Sequence, residues 1–312
     1  MADLTNARCV VLGGGGFLGT NLCAALAGKV AALRAFGRRQ SFPGALGHVE
    51  WMQGDFADPT SVASAISDCD VVFHLVNATT PASANIDKVA DLQANVVSTL
   101  RLLEACRAEG VKQVIFVSSG GTIYGVPRQI PTPETAPNEP ITAYGISKLA
   151  IEKYLALYHR AHGIDYRVLR VANPYGPYQT ALKSQGVIAA FLRKALAGQP
   201  IDVWGDGTVI RDYVYVDDVS RALIAAASYE GDEKIFNIGS GVGQSILEIA
   251  GVIESLLNTR LNMRFADARP VDVPKSVLDC RRAAVELGWQ AEIQLREGME
   301  RTIAWMKSAT VT

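Results

Sequence analysis

Short runs of β-branched and apolar residues alternate with longer stretches of helical period through the first half of the chain. The runs fall at 9–12, 30–36, 49–52, 71–75, 114–118 and 166–171, and the helical stretches at 16–27, 60–66, 89–109 and 143–162. Such alternation predicts a parallel sheet, because each step between parallel strands needs a helix-length crossover. Runs apolar at nearly every position, such as Val114-Ile-Phe-Val-Ser118, belong to strands buried on both faces. From Pro174 the pattern changes: Pro and Gly become more frequent, short strands are predicted near 201–204 and 263–265, and helices near 186–197, 246–257 and 296–306. A helix at 217–227 and a strand at 235–238 read as a return to the main sheet. The expected class is α/β, a doubly wound parallel sheet with a smaller α/β C-terminal substrate lobe. The sheet domain takes 1–173 plus about 212–238 and the lobe takes 174–211 plus about 239–312, with the ligand cleft between them.

The strand Val10-Val-Leu12 runs directly into Gly13-Gly-Gly-Gly16-Phe17-Leu18-Gly19, and a helical pattern follows. Glycines at 13, 16 and 19 suit a tight strand-to-helix turn whose backbone N–H groups approach a pyrophosphate, which makes the sheet Rossmann-type. Gly54-Asp55-Phe56 follows the third strand, where a carboxylate can meet an adenine amino group, although a solvated turn Asp reads equally simply. The second strand ends at Gly37-Arg38-Arg39, without the acid that an NAD-selective site places on the ribose. Two arginines there permit a 2′-phosphate, so NAD or NADP is the expected cofactor; ordinary surface arginines beside an NAD site are the other reading.

Tyr144-Gly-Ile-Ser-Lys148 puts a phenol and an ammonium on one helix face. A phenol becomes a base near neutrality only if its phenolate is stabilised, and a neighbouring cation can do this. The apolar segment Gly186-Val187-Ile-Ala-Ala-Phe191 and Val203 are candidates for a nucleobase pocket.

Composition removes other classes. A formal charge of -1 gives no basic surface for nucleic acid, and no apolar run is long enough to span a membrane. Cys9, Cys23, Cys69, Cys106 and Cys280 are odd in number and lack any Cys-x-x-Cys pair, as buried reduced thiols would be. His48, His74, His159 and His162 show no metal-ligand spacing, and His74 reads as a core residue. A cytoplasmic globular protein without a metal is expected.

With the glycine run, Val117-Ser118-Ser119-Gly120-Gly121-Thr122-Ile123-Tyr124-Gly125 and the Tyr144/Lys148 pair in that order, the chain resembles the extended short-chain dehydrogenase/reductases. It looks most like their nucleotide-sugar epimerase and dehydratase branch, closest to the hexose 4-epimerases. Asn173-Pro-Tyr-Gly-Pro177, Trp204-Gly-Asp-Gly-Thr208, Arg211-Asp-Tyr-Val-Tyr-Val-Asp-Asp218 and Arg269-Pro-Val-Asp272 extend the likeness over nearly the whole length. The resemblance implies that Tyr144 is the base and that Lys148 binds the nicotinamide ribose. It places Asn95 near the nicotinamide and bracing the active-site helix, and Leu75, Val76 and Val117 along the cofactor. Asn173, Arg211 and Arg269 correspond to diphosphate contacts and Asp272 to a ribose contact. A homodimer through helices 89–109 and 143–162 is implied as well.

One departure stands out: the family usually carries a Ser or Thr where this chain has Gly120. Ser119 first and Thr122 second are the candidate substitutes. The same loop discriminates reactions, since relatives that eliminate water carry Asp-Glu where this chain has Gly120-Gly121. Relatives that epimerise at C3 or C5 use a cysteine or similar donor where Thr122 stands, and a threonine hydroxyl is far too weak an acid for that step. The expectation is therefore a nucleotide-sugar 4-epimerase (UDP-hexose or dTDP-6-deoxyhexose) working through a transient 4-keto intermediate. An NADPH-dependent 4-keto reductase of a nucleotide 6-deoxysugar is the alternative. A catalytically silent nucleotide-binding protein is a further one, for which Gly120 argues.

Overall fold

A computed structural model describes residues 4–47, 49–180, 186–267 and 273–309. The first half runs β1 (Arg8–Leu12), α1 (Phe17–Leu26), β2 (Ala32–Gly37), β3 (Glu50–Gln53), α2 (Pro59–Ile66), β4 (Val71–His74), α3 (Pro81–Ile86) and α4 (Lys88–Asp91). A π-helical turn at Leu92–Val97 leads into α5 (Ser98–Glu109), followed by β5 (Gln113–Ser119), α6 (Ala143–His162) and β6 (Asp165–Val171). Then come β7 (Asn173–Tyr175), α7 (Val187–Leu196), β8 (Ile201–Trp204), β9 (Ile210–Tyr215), α8 (Val216–Ala227) and β10 (Ile235–Ile238). The chain closes with β11 (Gly243–Ser245), α9 (Ile246–Leu257), β12 (Met263–Ala266), β13 (Lys275–Ser276), α10 (Arg281–Glu286) and α11 (Leu295–Ala309).

Seven parallel strands form the main sheet in the order β10-β6-β5-β4-β1-β2-β3. Successive strand residues face opposite sides, which accounts for the unbroken apolar runs. Val11, Phe73, Ile115 and Leu169 pack into one core with residues of α1 and α8. Val10, Val72, Val114 and Val168 pack into the other with residues of α2, α5 and α6. Strand order reverses between β1 and β4, so a crevice opens beyond their carboxyl ends, where such sheets bind ligands.

A third core, including Tyr175, Phe191, Ile201, Tyr213, Ile249 and Met299, belongs to the remaining elements. There β9 is flanked by β11 and β13 and also pairs with β7, while β8 pairs with β12. Residues 281–289, read from sequence as part of the second lobe, instead put Ala283, Leu287 and Trp289 into the first core. The Trp289 indole donates to the Asp218 carbonyl at 2.9 Å. Phe42, Tyr178 and Trp305 clasp three separate segments, with Phe42–Tyr178 and Tyr178–Trp305 centroids 4.9 and 5.3 Å apart.

The stretch 89–109, predicted as one helix, is divided. Asp87 caps α4 by accepting from the Ala90 N–H at 2.9 Å, and the π turn accommodates Asn95. A separate α3 precedes it, capped by Thr80 and Ser83 in a reciprocal box with Pro81 in the first turn. By contrast α6 spans the predicted residues, because Thr142 caps its start and Gly163, at φ 75°, ends it.

Candidate functional site

The turn after β1 is built for close approach. Gly13 has φ +87°, and a Cβ there would lie 3.3 Å from the Val76 nitrogen of the loop after β4. A Cβ at Gly19 would lie 2.1 Å from the Gly13 carbonyl oxygen, so only glycine lets α1 close onto the turn. Gly16 is the exposed N-cap of α1 and has no side-chain capping bond. That leaves helix N–H groups, with partly buried Phe17 and Leu18 beside them, facing the crevice. A surface without Cβ atoms at a helix N-terminus fits a dinucleotide pyrophosphate.

The neighbouring candidates fall around this crevice. Leu75 and Val76 continue β4 into it and are partly buried. Arg38 and Arg39 are exposed beyond β2. Asp55 is exposed and accepts from the Ala57 N–H at 2.9 Å, a local turn contact, whereas Phe56 is buried with its ring centroid 5.0 Å from that of His74. His74 is indeed a core residue: it bonds Thr99 Oγ1 at 2.9 Å, and burial, aided by the Lys148 charge, pushes it down to about 3. Among the described residues no group of His, Cys, Asp and Glu could hold a metal ion; His48 lies outside them. Burial pushes the thiols of Cys9, Cys23 and Cys106 up to about 12, so these are inert core groups.

Tyr144 and Lys148 project from the first turns of α6. The Lys148 ammonium donates to the Val117 carbonyl at 2.9 Å and stands 5.7 Å from the Tyr144 ring centroid and 4.7 Å from that of Phe116. Val117 therefore meets Lys148 through its backbone. Burial holds Lys148 down to about 8, against the opposing pull of Glu152 and Asp91. Burial also pushes the Tyr144 phenol up, and the Asp91 carboxylate adds to that. In the ligand-free site desolvation thus works against the charged forms of both groups.

Sequence reasoning missed Asp91. It is 1 % exposed, and its carboxylate accepts from Ser147 Oγ at 2.5 Å, Asn95 Nδ2 at 2.9 Å and the Thr79 hydroxyl. Asn95 in turn accepts from the Ala78 N–H at 2.9 Å, so it links the loop after β4 to this cluster.

The loop after β5 resolves the Gly120 departure. A Cβ at Gly120 would lie 2.4 Å from Leu278 Cδ1 and 2.9 Å from the Arg170 carbonyl oxygen. Leu278 thus fills the space a side chain at 120 would need. The Thr122 hydroxyl is buried without a hydrogen-bond partner, while Ser119, last residue of β5, stays partly exposed. Gly120→Ser is expected to cost about 1–3 kcal/mol through overpacking and to bring no gain in turnover. Thermal denaturation with a rate assay checks this, and a stable, faster variant would return position 120 to the site.

The second lobe holds a cavity of about 250 Å³. Asn173, Val187, Val203 and Arg211 all line it, together with Phe191 and Trp204. The Asn173 amide donates to the Asp212 carbonyl at 2.8 Å, and Arg211 donates to the Val273 carbonyl at 2.6 Å. Parallel pairing of β7 with β9 brings Asn173 and Arg211 together, and α7 and β8 add Val187 and Val203 to the same cavity. Arg269 and Asp272 lie outside the described residues.

A glycine turn at the switch point of a parallel sheet, with a Tyr/Lys helix beside it, defines a Rossmann-type dinucleotide-binding protein. The profile of the NAD dependent epimerase/dehydratase family matches residues 9–239. A UDP-glucose 4-epimerase of Mycolicibacterium smegmatis is 34% identical over 310 residues, covering 96% of this chain and 99% of that protein. A dTDP-4-dehydro-6-deoxyglucose reductase of Escherichia coli is 31% identical, covering 94% and 96% respectively. The crystal structure of a Thermotoga maritima UDP-glucose 4-epimerase with UDP-glucose matches at a TM-score of 0.92 and 33% identity, covering 97% of this chain and 99% of that one. The chain belongs to the NAD dependent epimerase/dehydratase family, among the extended short-chain dehydrogenase/reductases.

Proposed function

We propose that this protein is a nucleotide-sugar 4-epimerase acting on a UDP-hexose. The observation that carries this reading is the loop from Ser119 to Thr122: it sets one accessible hydroxyl at the end of β5 and no acid or thiol. Only one carbinol can then be worked on. The glycine turn, Leu75, Val76 and Asn95 would hold the dinucleotide, which would supply a hydride acceptor and donor for C4 and positive charge near the phenol. Tyr144 takes the 4-OH proton, Ser119 hydrogen-bonds the same oxygen, and Lys148 keeps the pair's charge positive and holds the ribose. Asn173 and Arg211 grip the diphosphate while the 4-keto sugar turns over, so that remote binding energy retains the intermediate. Val187, Phe191 and Val203 receive the base.

The deciding experiment incubates purified protein and NAD with UDP-glucose or UDP-galactose and no reductant. Interconversion of the C4 epimers supports the reading. Consumption of NADPH by a 4-keto 6-deoxysugar nucleotide would replace it with the reductase, which the Escherichia coli relative and the Gly37-Arg38-Arg39 segment favour. Turnover of neither leaves a binding protein.

Cofactor choice has its own test. Gly37→Asp should weaken NADP about tenfold more than NAD, by repulsion of the 2′-phosphate next to Arg38 and Arg39. Equal effects in a fluorescence titration would remove both arginines from the argument.

A homodimer through α5 and α6 fits the exposed Leu157, which shares a helix face with partly buried Ala150 and Tyr154. The five free thiols suit a reducing, cytoplasmic setting.

A further inference from the structure

The buried charges around α6 do not balance on that helix alone. Lys148 and Arg170 are cations, and Glu152 is the anion between them. Arg170 takes Glu152, donating to its two carboxylate oxygens at 3.1 and 2.6 Å. His74, behind Lys148 on β4, is neutral and supplies no counter-charge. Among the described residues the Lys148 ammonium has the Val117 carbonyl as its one hydrogen-bond acceptor. The remaining buried anion is Asp91, on a different helix. It is held by three neutral donors, and one of them, Ser147, is the residue directly before Lys148.

We propose that Asp91 is a positioning residue for the reaction: through Ser147 it ties the first turns of α6 to α4, and its carboxylate adds a second counter-charge for Lys148 to that of Glu152, whose oxygens Arg170 already binds. Two consequences follow from one bond network. The tie fixes where Tyr144 stands, since a displacement of about an ångström at a reacting group is costly. The charge sets how readily the Tyr144/Lys148 pair holds its protons, because an anion disfavours the phenolate and favours the ammonium.

Removing the negative charge makes Tyr144 easier to ionise and Lys148 easier to deprotonate, so both steps move to lower pH. Glu152, Arg170 and neutral His74 are unchanged by the substitution and do not reverse this. In Asp91→Asn the acid and alkaline limbs of the kcat/KM profile for UDP-glucose should therefore both shift downward, each by roughly half a pH unit or more. Asp91→Glu should restore the limbs. Ser147→Ala, which cuts the tie and keeps the charge, should lower kcat several-fold with the limbs in place and KM little changed.

The kinetic readout rests on the epimerase reading, so a second one does not. The ultraviolet absorbance of the Tyr144 phenolate, taken as the difference from Tyr144→Phe, should appear at lower pH in Asp91→Asn than in the unaltered protein. If the unaltered protein does not turn over UDP-glucose while the absorbance still shifts, the function reading fails and the role of Asp91 stands. A loss of activity with limbs and absorbance unmoved would make Asp91 merely structural. Should Asp91→Asn not fold, a Ser147→Ala variant indistinguishable from the unaltered protein would overturn the tie.

Discussion

Tyr144→Phe is expected to lower kcat by about 10²–10⁴-fold, the range that a positioned proton-transfer group supplies, while leaving the dinucleotide bound. The ring stays, so the packing around Phe116 and Lys148 is retained; only the hydroxyl is lost. In the ligand-free protein that hydroxyl is held protonated by burial first and by Asp91 second. On the proposed mechanism its ionisation draws on positive charge from Lys148 and from the bound cofactor together. Steady-state assay of the C4 epimers, with cofactor content read from absorbance, separates loss of chemistry from loss of binding. Activity persisting at more than a few per cent would move the base to another residue.

How far the sequence foretold this site depends on where each residue's partners lie. The helix carrying Tyr144 was legible to the residue because its signals are local: Thr142 and Gly163 adjoin its ends. The glycine turn was legible for the same reason. Strand β9 was not, since Asp212 sits mid-strand at 1 % exposure and is satisfied by Ser240 N–H at 2.7 Å and Gly241 N–H at 3.1 Å, far along the chain. A buried aspartate looks like a loop residue until those partners are known. Gly120 read as a missing hydroxyl, and its cause, Leu278, lies in another part of the chain. Asp91 was passed over in an apparently continuous helix because its bond to Ser147 spans 56 residues. By contrast the cavity residues were found, although from family likeness and apolarity and not from any local signal.

Breaking the ion pair beneath Tyr144 and Lys148 should give the largest stability effect. Tyr144, Lys148 and Glu152 follow one another at intervals of four on α6, so the same face carries the site and its support. Glu152 is 3 % exposed and Arg170 1 % exposed. The carboxylate also accepts from Ser118 Oγ at 2.5 Å, and the guanidinium lies 4.9 Å from the Tyr124 ring centroid. One guanidinium nitrogen, Nη1, already has no hydrogen-bond partner, which leaves Arg170 little to fall back on. Glu152→Gln removes the one carboxylate bonded to it among the described residues and strands a buried cation, a loss of about 3–5 kcal/mol. Because desolvation is then uncompensated, the double variant Glu152→Leu with Arg170→Met should recover most of that loss, and the two single variants should be strongly non-additive. Denaturant midpoints for the four proteins give the coupling directly. A loss under about 1 kcal/mol for Glu152→Gln would mean that water or Tyr124 holds the Arg170 charge instead.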